Sequence, residues 1–95
     1  MVSYKDNPEL FQGKSDIIKA LAHPVRLCIV KNLIEAESAN VTAMQNCLEA
    51  PQSTISQHLS KLKAAKIISG RRRGLEVYYS VSNEKVKEII KILFM

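Results

Sequence analysis

The stretch Pro51-Gln52-Ser53-Thr54-Ile55-Ser56-Gln57-His58-Leu59 decides how the rest of the chain is read. It opens a helix with a row of short hydrogen-bonding side chains, while Ile55, Leu59 and Leu62 supply an apolar stripe behind them. One side of such a helix holds it to a core. The other side carries amides and hydroxyls, the groups that match base edges and phosphates in a DNA major groove.

Charge gathers around the same stretch. Lys61, Lys63, Lys66, Arg71, Arg72 and Arg73 follow it, and no acid occurs between Ala50 and Leu75. The chain has 14 Lys+Arg and 9 Asp+Glu, a net charge of +5. Residues 50–75 hold +6, which leaves eight basic residues against nine acidic ones elsewhere. The basic character is therefore one patch on a near-neutral body, as phosphate contact requires. A solvated basic helix and hairpin would give the same count, but not its coincidence with the Ser/Thr/Gln row.

At 95 residues, 46% of them apolar, the chain predicts one domain over 1–95, with part of its apolar surface left for an interface between subunits. Three glycines, three prolines and no low-complexity run argue for compact order throughout, apart from the first few residues. No leader of signal type and no apolar run near 18 residues occurs, which predicts a soluble, cytoplasmic protein.

Asn7 and Pro8 start a first helix that runs to Leu21, with Leu10, Phe11, Ile17, Ile18 and Leu21 as its apolar positions. His23-Pro24 breaks it, and Pro24 begins a second helix striped by Leu27, Val30, Leu33 and Ile34. Thr42 with Gln45 reads as a capping box for a short third helix, in which Met44, Cys47 and Leu48 point inward. Glu49-Ala50-Pro51 is the turn into the fourth helix, which ends near Ala65. Two helices joined by a tight turn, the second polar at its start, give a helix-turn-helix. Leu75, Val77, Tyr79 and Val81 then alternate with Glu76, Tyr78 and Ser80, a strand pattern. Arg73-Gly74 makes a hairpin tip, and the three arginines beside it make a basic wing. Ser82 or Asn83 caps a last helix with Val86, Ile89, Ile90 and Leu93 at i, i+3, i+4 and i+7. The fold class is mainly α with a β-hairpin wing, a winged helix-turn-helix in the order α-α-α-α-β-β-α. The last helix is expected to pair with the first in a two-fold dimer through Leu10, Phe11, Ile18, Val86, Ile89, Ile90 and Leu93.

Three words in this order, Ala22-His23-Pro24-Val25-Arg26-Leu27, Gln52 to Leu59, and Arg72-Arg73-Gly74-Leu75-Glu76-Val77-Tyr78-Tyr79-Ser80-Val81, resemble the ArsR/SmtB family of bacterial winged-helix repressors. The resemblance covers nearly the whole chain. It implies a homodimer that binds double-stranded DNA at an imperfect inverted repeat and blocks transcription. Carried onto this sequence, it implies that Gln52, Ser53, Ser56 and Gln57 meet bases or phosphates, with Arg71, Arg72 and Arg73 along the backbone; Thr54 either contacts phosphate or seats the helix, His58 is either a phosphate donor or a packing residue, and Lys61 adds its charge to the phosphate attraction. The chain departs from the family at the inducer site. Metal-sensing members place cysteines where Asn40 and Thr42 stand here, and Asp and His where Asn83 and Lys85 stand. Zinc needs three or four close N, S or O donors, and a lysine is not an ordinary one, so no metal and no cofactor is expected. Lys66 replaces a glycine common in relatives, and a left-handed conformation there would cost about 1 kcal/mol relative to Gly.

Two other readings compete. Cys28 and Cys47, on the second and third helices, could form a thiol or redox switch, although two small buried hydrophobes is the commoner fate of free cysteines. The chain could also be a protein-interaction module that keeps the winged-helix shape without touching DNA. Nothing suggests an enzyme: Gly13, Gly70 and Gly74 are too scattered for a phosphate loop, and no serine has a histidine and acid in a recognisable frame.

Overall fold

The computed structural model describes residues 1–95. Five helices and a hairpin follow in order: α1 (Pro8–Leu21), α2 (Pro24–Ala36), α3 (Val41–Leu48), α4 (Gln52–Ala64), β1 (Ile68–Arg73), β2 (Glu76–Val81) and α5 (Glu84–Leu93). This is the winged helix-turn-helix order expected above.

The helix ends explain the boundaries. Asn7 Oδ1 accepts the Leu10 amide at 3.3 Å, and Pro8 fills the first turn of α1, where its missing N–H costs nothing. Asn83 Oδ1 accepts the Lys85 and Val86 amides at the start of α5. The capping box expected at Thr42 does not form. Asn40 caps α3 instead, its Oδ1 accepting the Ala43 amide at 2.9 Å, so the helix starts at Val41. Asparagine ranks slightly above threonine at this position, and moving the cap two residues earlier puts Thr42 inside the first turn.

The core is wholly apolar. Ile29, Val30 and Leu33 of α2, Met44 of α3, and Ile55, Leu59 and Leu62 of α4 meet Ile67, Ile68, Val81, Val86 and Ile90. Val86 and Ile90, expected on a dimer face, are at 0% and 3% exposure and belong to this core. They pack beneath α5 because the helix lies over α2 and β2, so neither has surface to bring to a second copy. Cys47, expected to point inward, is exposed, and Cys28 is half-buried. Leu75, expected to continue the alternating face of β2, is 97% exposed because it sits in the hairpin loop, away from the core.

In the wing, Arg73 pairs with Glu76 across a two-residue loop, Gly74-Leu75. Gly74 has φ +63°, and the first loop position of a type II′ hairpin favours glycine for that reason. Gly70 pairs with Tyr79, and a Cβ there would lie 2.9 Å from Val77 Cγ1 and 3.2 Å from Tyr79 Cε1. The Tyr79 ring needs that space to pack against the core. On its other edge Tyr79 exchanges two backbone hydrogen bonds with Ala39, which ties the hairpin to the segment before α3.

Candidate nucleic-acid interface

Helix α4 presents the row as a surface. Ile55, Leu59 and Leu62 turn into the core, so Gln52, Ser53, Ser56, Gln57 and Lys61 turn outward and are exposed. Thr54 is half-buried at the edge of that face. Pro51 precedes the helix and supplies no side-chain cap. The first amides of α4 therefore remain available at the positive end of its dipole, a disposition suited to phosphate. The end of the helix is a Schellman stop. Lys66 at φ +61° lets its N–H reach Lys63 O and the Ile67 N–H reach Leu62 O, both at 3.0 Å. The chain then turns directly into the wing.

The wing borders the same surface. A groove of about 300 Å³ is lined by Asn40, Gln52 and Ser56 on the helical side and by Glu76, Val77 and Tyr79 on the hairpin side. Arg71, Arg72 and Arg73 are all exposed, but they do not share one face. Residues directly opposed across an antiparallel pair point to the same side. Arg72 is opposite Val77 and so belongs to the groove face, whereas Arg71 and Arg73 are opposite Tyr78 and Glu76 on the outer face. The Arg73 guanidinium lies 5.3 Å from the centre of the Tyr78 ring. Glu76 Oε2 accepts from Asn40 Nδ2 at 3.1 Å and from Tyr78 Oη at 3.3 Å, so one carboxylate joins the wing to the cap of α3. The sequence marked neither Asn40 nor Glu76 for this. The cue was an acid standing beside the tip of an otherwise basic hairpin.

His58 does not join the outward row. Its Nδ1 accepts from Arg26 Nε at 3.2 Å, and its ring lies 4.7 Å from that of His23. Its position on α4, one turn from both Ile55 and Leu62, turns it toward the start of α2. Burial, then the nearby His23 and Arg26, hold its pKa below the ordinary histidine value. Arg26 is thus a residue that the reading of the sequence missed, although the Ala22–Leu27 word contains it.

The inducer positions of metal-sensing relatives have other work here. Asn40 and Asn83 are the caps of α3 and α5, and Thr42 and Lys85 lie in the first turns they cap. These residues do not fit a zinc ion, which wants imidazole, thiolate or carboxylate donors. Cys28 Sγ accepts from Asn32 Nδ2 at 3.2 Å, while Cys47 lies on the rim of a separate apolar cavity between α2 and α3.

Comparison with known proteins agrees with this geometry. A helix-turn-helix domain family matches residues 21–71. The transcriptional repressor PagR of Bacillus anthracis is 42% identical over 92 residues, covering 97% of this chain and 92% of that protein. Its crystal structure superposes with a TM-score of 0.83 over 92% of this chain and 99% of that one. The repressor SmtB of Mycobacterium tuberculosis is 37% identical over 86% of this chain and 60% of its own length. The homodimeric winged helix-turn-helix DNA-binding domain Mb0332 of Mycobacterium bovis, 26% identical, superposes with a TM-score of 0.84 over 98% of this chain and 86% of that one. No helix here is long and apolar enough to cross a membrane. With its three sequence words, its element order and these relatives, the chain belongs to the ArsR/SmtB family of winged helix-turn-helix transcriptional repressors.

Proposed function

We propose that this single-domain chain is a homodimeric repressor that holds an inverted-repeat operator with α4 and the wing of each subunit, and that it does so without the metal sites of its metal-sensing relatives. One observation carries the reading: Gln52, Ser53, Ser56 and Gln57 stand outward on α4, beside an uncapped helix start and a groove shared with the hairpin that bears Arg72. Gln52 and Gln57 offer paired donor and acceptor groups that can read base edges, adenine above all. Lys61 and the wing arginines supply sequence-independent attraction to phosphate. The split of the arginines over two faces suits a hairpin lying in a groove, which meets a phosphate backbone on either side. The dimer reading is supported by the exposed apolar residues of α1 and α5.

Gel shift with the DNA upstream of the chain's own gene, against a random duplex of equal length, tests the reading. Gln52→Ala and Gln57→Ala each weaken the specific complex by about 1–3 kcal/mol and leave the random complex nearly unchanged. Equal losses on both duplexes would mean that these amides read no bases. Absence of any complex at moderate salt would favour a protein-interaction module.

A further inference from the structure

Three side chains meet where the turn between α1 and α2 touches α4. His23 caps α2, its Nδ1 accepting the Val25 amide at 3.1 Å. Arg26 donates from Nε to His58 Nδ1 and from Nη1 to the Ala20 carbonyl, both at 3.2 Å. The two imidazoles lie 4.7 Å apart, tilted by 52°. Each ring uses Nδ1 as an acceptor, which assigns both as neutral with the proton on Nε2. A second proton on either ring would put a donor where an acceptor is required. It would also add a cation beside a guanidinium that cannot give up its own charge.

The surroundings offer little compensation. Lys19 and Asp16 of α1 and Lys61 of α4 line the same cleft as His23 and Arg26. Asp16 is the one carboxylate among them, and it already accepts from Gln12 Nε2 at 2.8 Å.

We propose that His23, Arg26 and His58 form a proton-sensitive latch that seats the recognition helix on the α1–α2 turn when neutral and releases it in acid, weakening operator binding. The proposal rests on the DNA-binding reading above, in which α4 enters the groove. The sign of the effect identifies the latch. A histidine facing DNA takes up a proton on binding, because phosphate favours the charged ring, and affinity then rises in acid. Here the proton must leave before α4 can seat. Because the folded protein holds the His58 pKa below the free value of 6.5, the seated state is intact above that value and is lost as the pH falls through the cluster's own pKa.

Fluorescence anisotropy with a labelled duplex of the DNA upstream of the chain's own gene, at fixed ionic strength between about pH 7.5 and pH 5.5, reads this directly. Below the cluster's pKa, the wild-type Kd rises by about tenfold per unit fall in pH for each proton that must be released. In His23→Asn/His58→Asn, where asparagine keeps an acceptor near each Nδ1 but does not titrate, the profile is flat whatever its absolute Kd. Wild-type affinity that is constant or rises in acid overturns the latch, as does an equal fall in the double variant. Nuclear magnetic resonance of the free wild-type protein decides the matter even if that variant does not fold. The Arg26 Nε–H signal must shift with the His58 ring titration, and a ring that titrates without it overturns the proposal. Failure to bind DNA at about pH 7.5 defeats the functional reading instead, and the resonance titration still decides the latch.

Discussion

Lys66 is the residue at which side chain and backbone conflict most. It occupies the left-handed position of the Schellman stop, where glycine is usual, at φ +61°. The two hydrogen bonds of that motif and the burial of Leu62 and Ile67, both at 0% exposure, hold it there. A residue with a Cβ gives up about 1–2 kcal/mol in this conformation, and glycine returns about 0.5–1 kcal/mol of that as unfolded-state entropy. Lys66→Gly is therefore expected to stabilise the fold by roughly 0.5 kcal/mol, a rise of a few degrees in Tm, read by urea and thermal unfolding. Lower stability would mean that the lysine side chain itself supports the helix end. This geometry was legible only through the resemblance, which implies a glycine at this position to end the recognition helix. Glu37 and Glu49, at φ +70° and +52°, gave no such sign, because only the turn geometry demands the positive φ. Gly70 was equally silent, since its need for space comes from the strand register that sets it against Tyr79.

At the scale of elements, caps and apolar periodicity reveal which residues face a core but not which body covers them. Helix α5 illustrates this. Its spacing marks Val86, Ile89, Ile90 and Leu93 alike, yet the first and third are enclosed, Ile89 is half-buried and Leu93 is 62% exposed. The sequence leaves His58 between phosphate contact and packing for a related reason. It lies on the polar part of α4 by sequence, and only the approach of α2 shows that Arg26 engages it. The outward Gln/Ser row was legible because Ile55, Leu59 and Leu62 fix the phase of α4 unaided. Strand register likewise separates Arg72 from Arg71 and Arg73, a division invisible in a run of three identical residues. Removing one cation from a phosphate lowers the slope of log affinity against log salt by about 0.9. Arg72→Ala/Arg73→Ala should thus flatten the slope by roughly two units on operator and random DNA alike. A titration series over salt concentration measures this, and an unchanged slope would remove the wing from the phosphates.

For the whole molecule, α1 and α5 leave apolar surface uncovered. Leu10, Phe11 and Ile18 of α1 are 40%, 39% and 62% exposed, and Ile92 and Leu93 of α5 are 66% and 62% exposed. Lys14 lies on the same stripe of α1, one turn from Leu10 and from Ile18, and Lys85 lies one turn before Ile89 on α5. Lys85 lowers the Lys14 pKa, so the two ammonium groups stand near one another where α1 approaches the start of α5. Apolar surface left bare on two helices is of the kind a two-fold axis can close. Ile18→Asp introduces a charge into this surface without entering the core. It should yield a folded monomer, with helical circular dichroism retained and the mass from light scattering halved. Val86→Asp is the contrast, because its charge would be buried in the core and should unfold the chain. A monomer engages one half-site at a time and loses the effective concentration that joins two, so operator affinity should fall by roughly 10²-fold or more. Binding to a single half-site should fall little. A wild-type chain that scatters light as a monomer, or an Ile18→Asp variant that stays dimeric and binds operator at full strength, would place the subunit contact elsewhere.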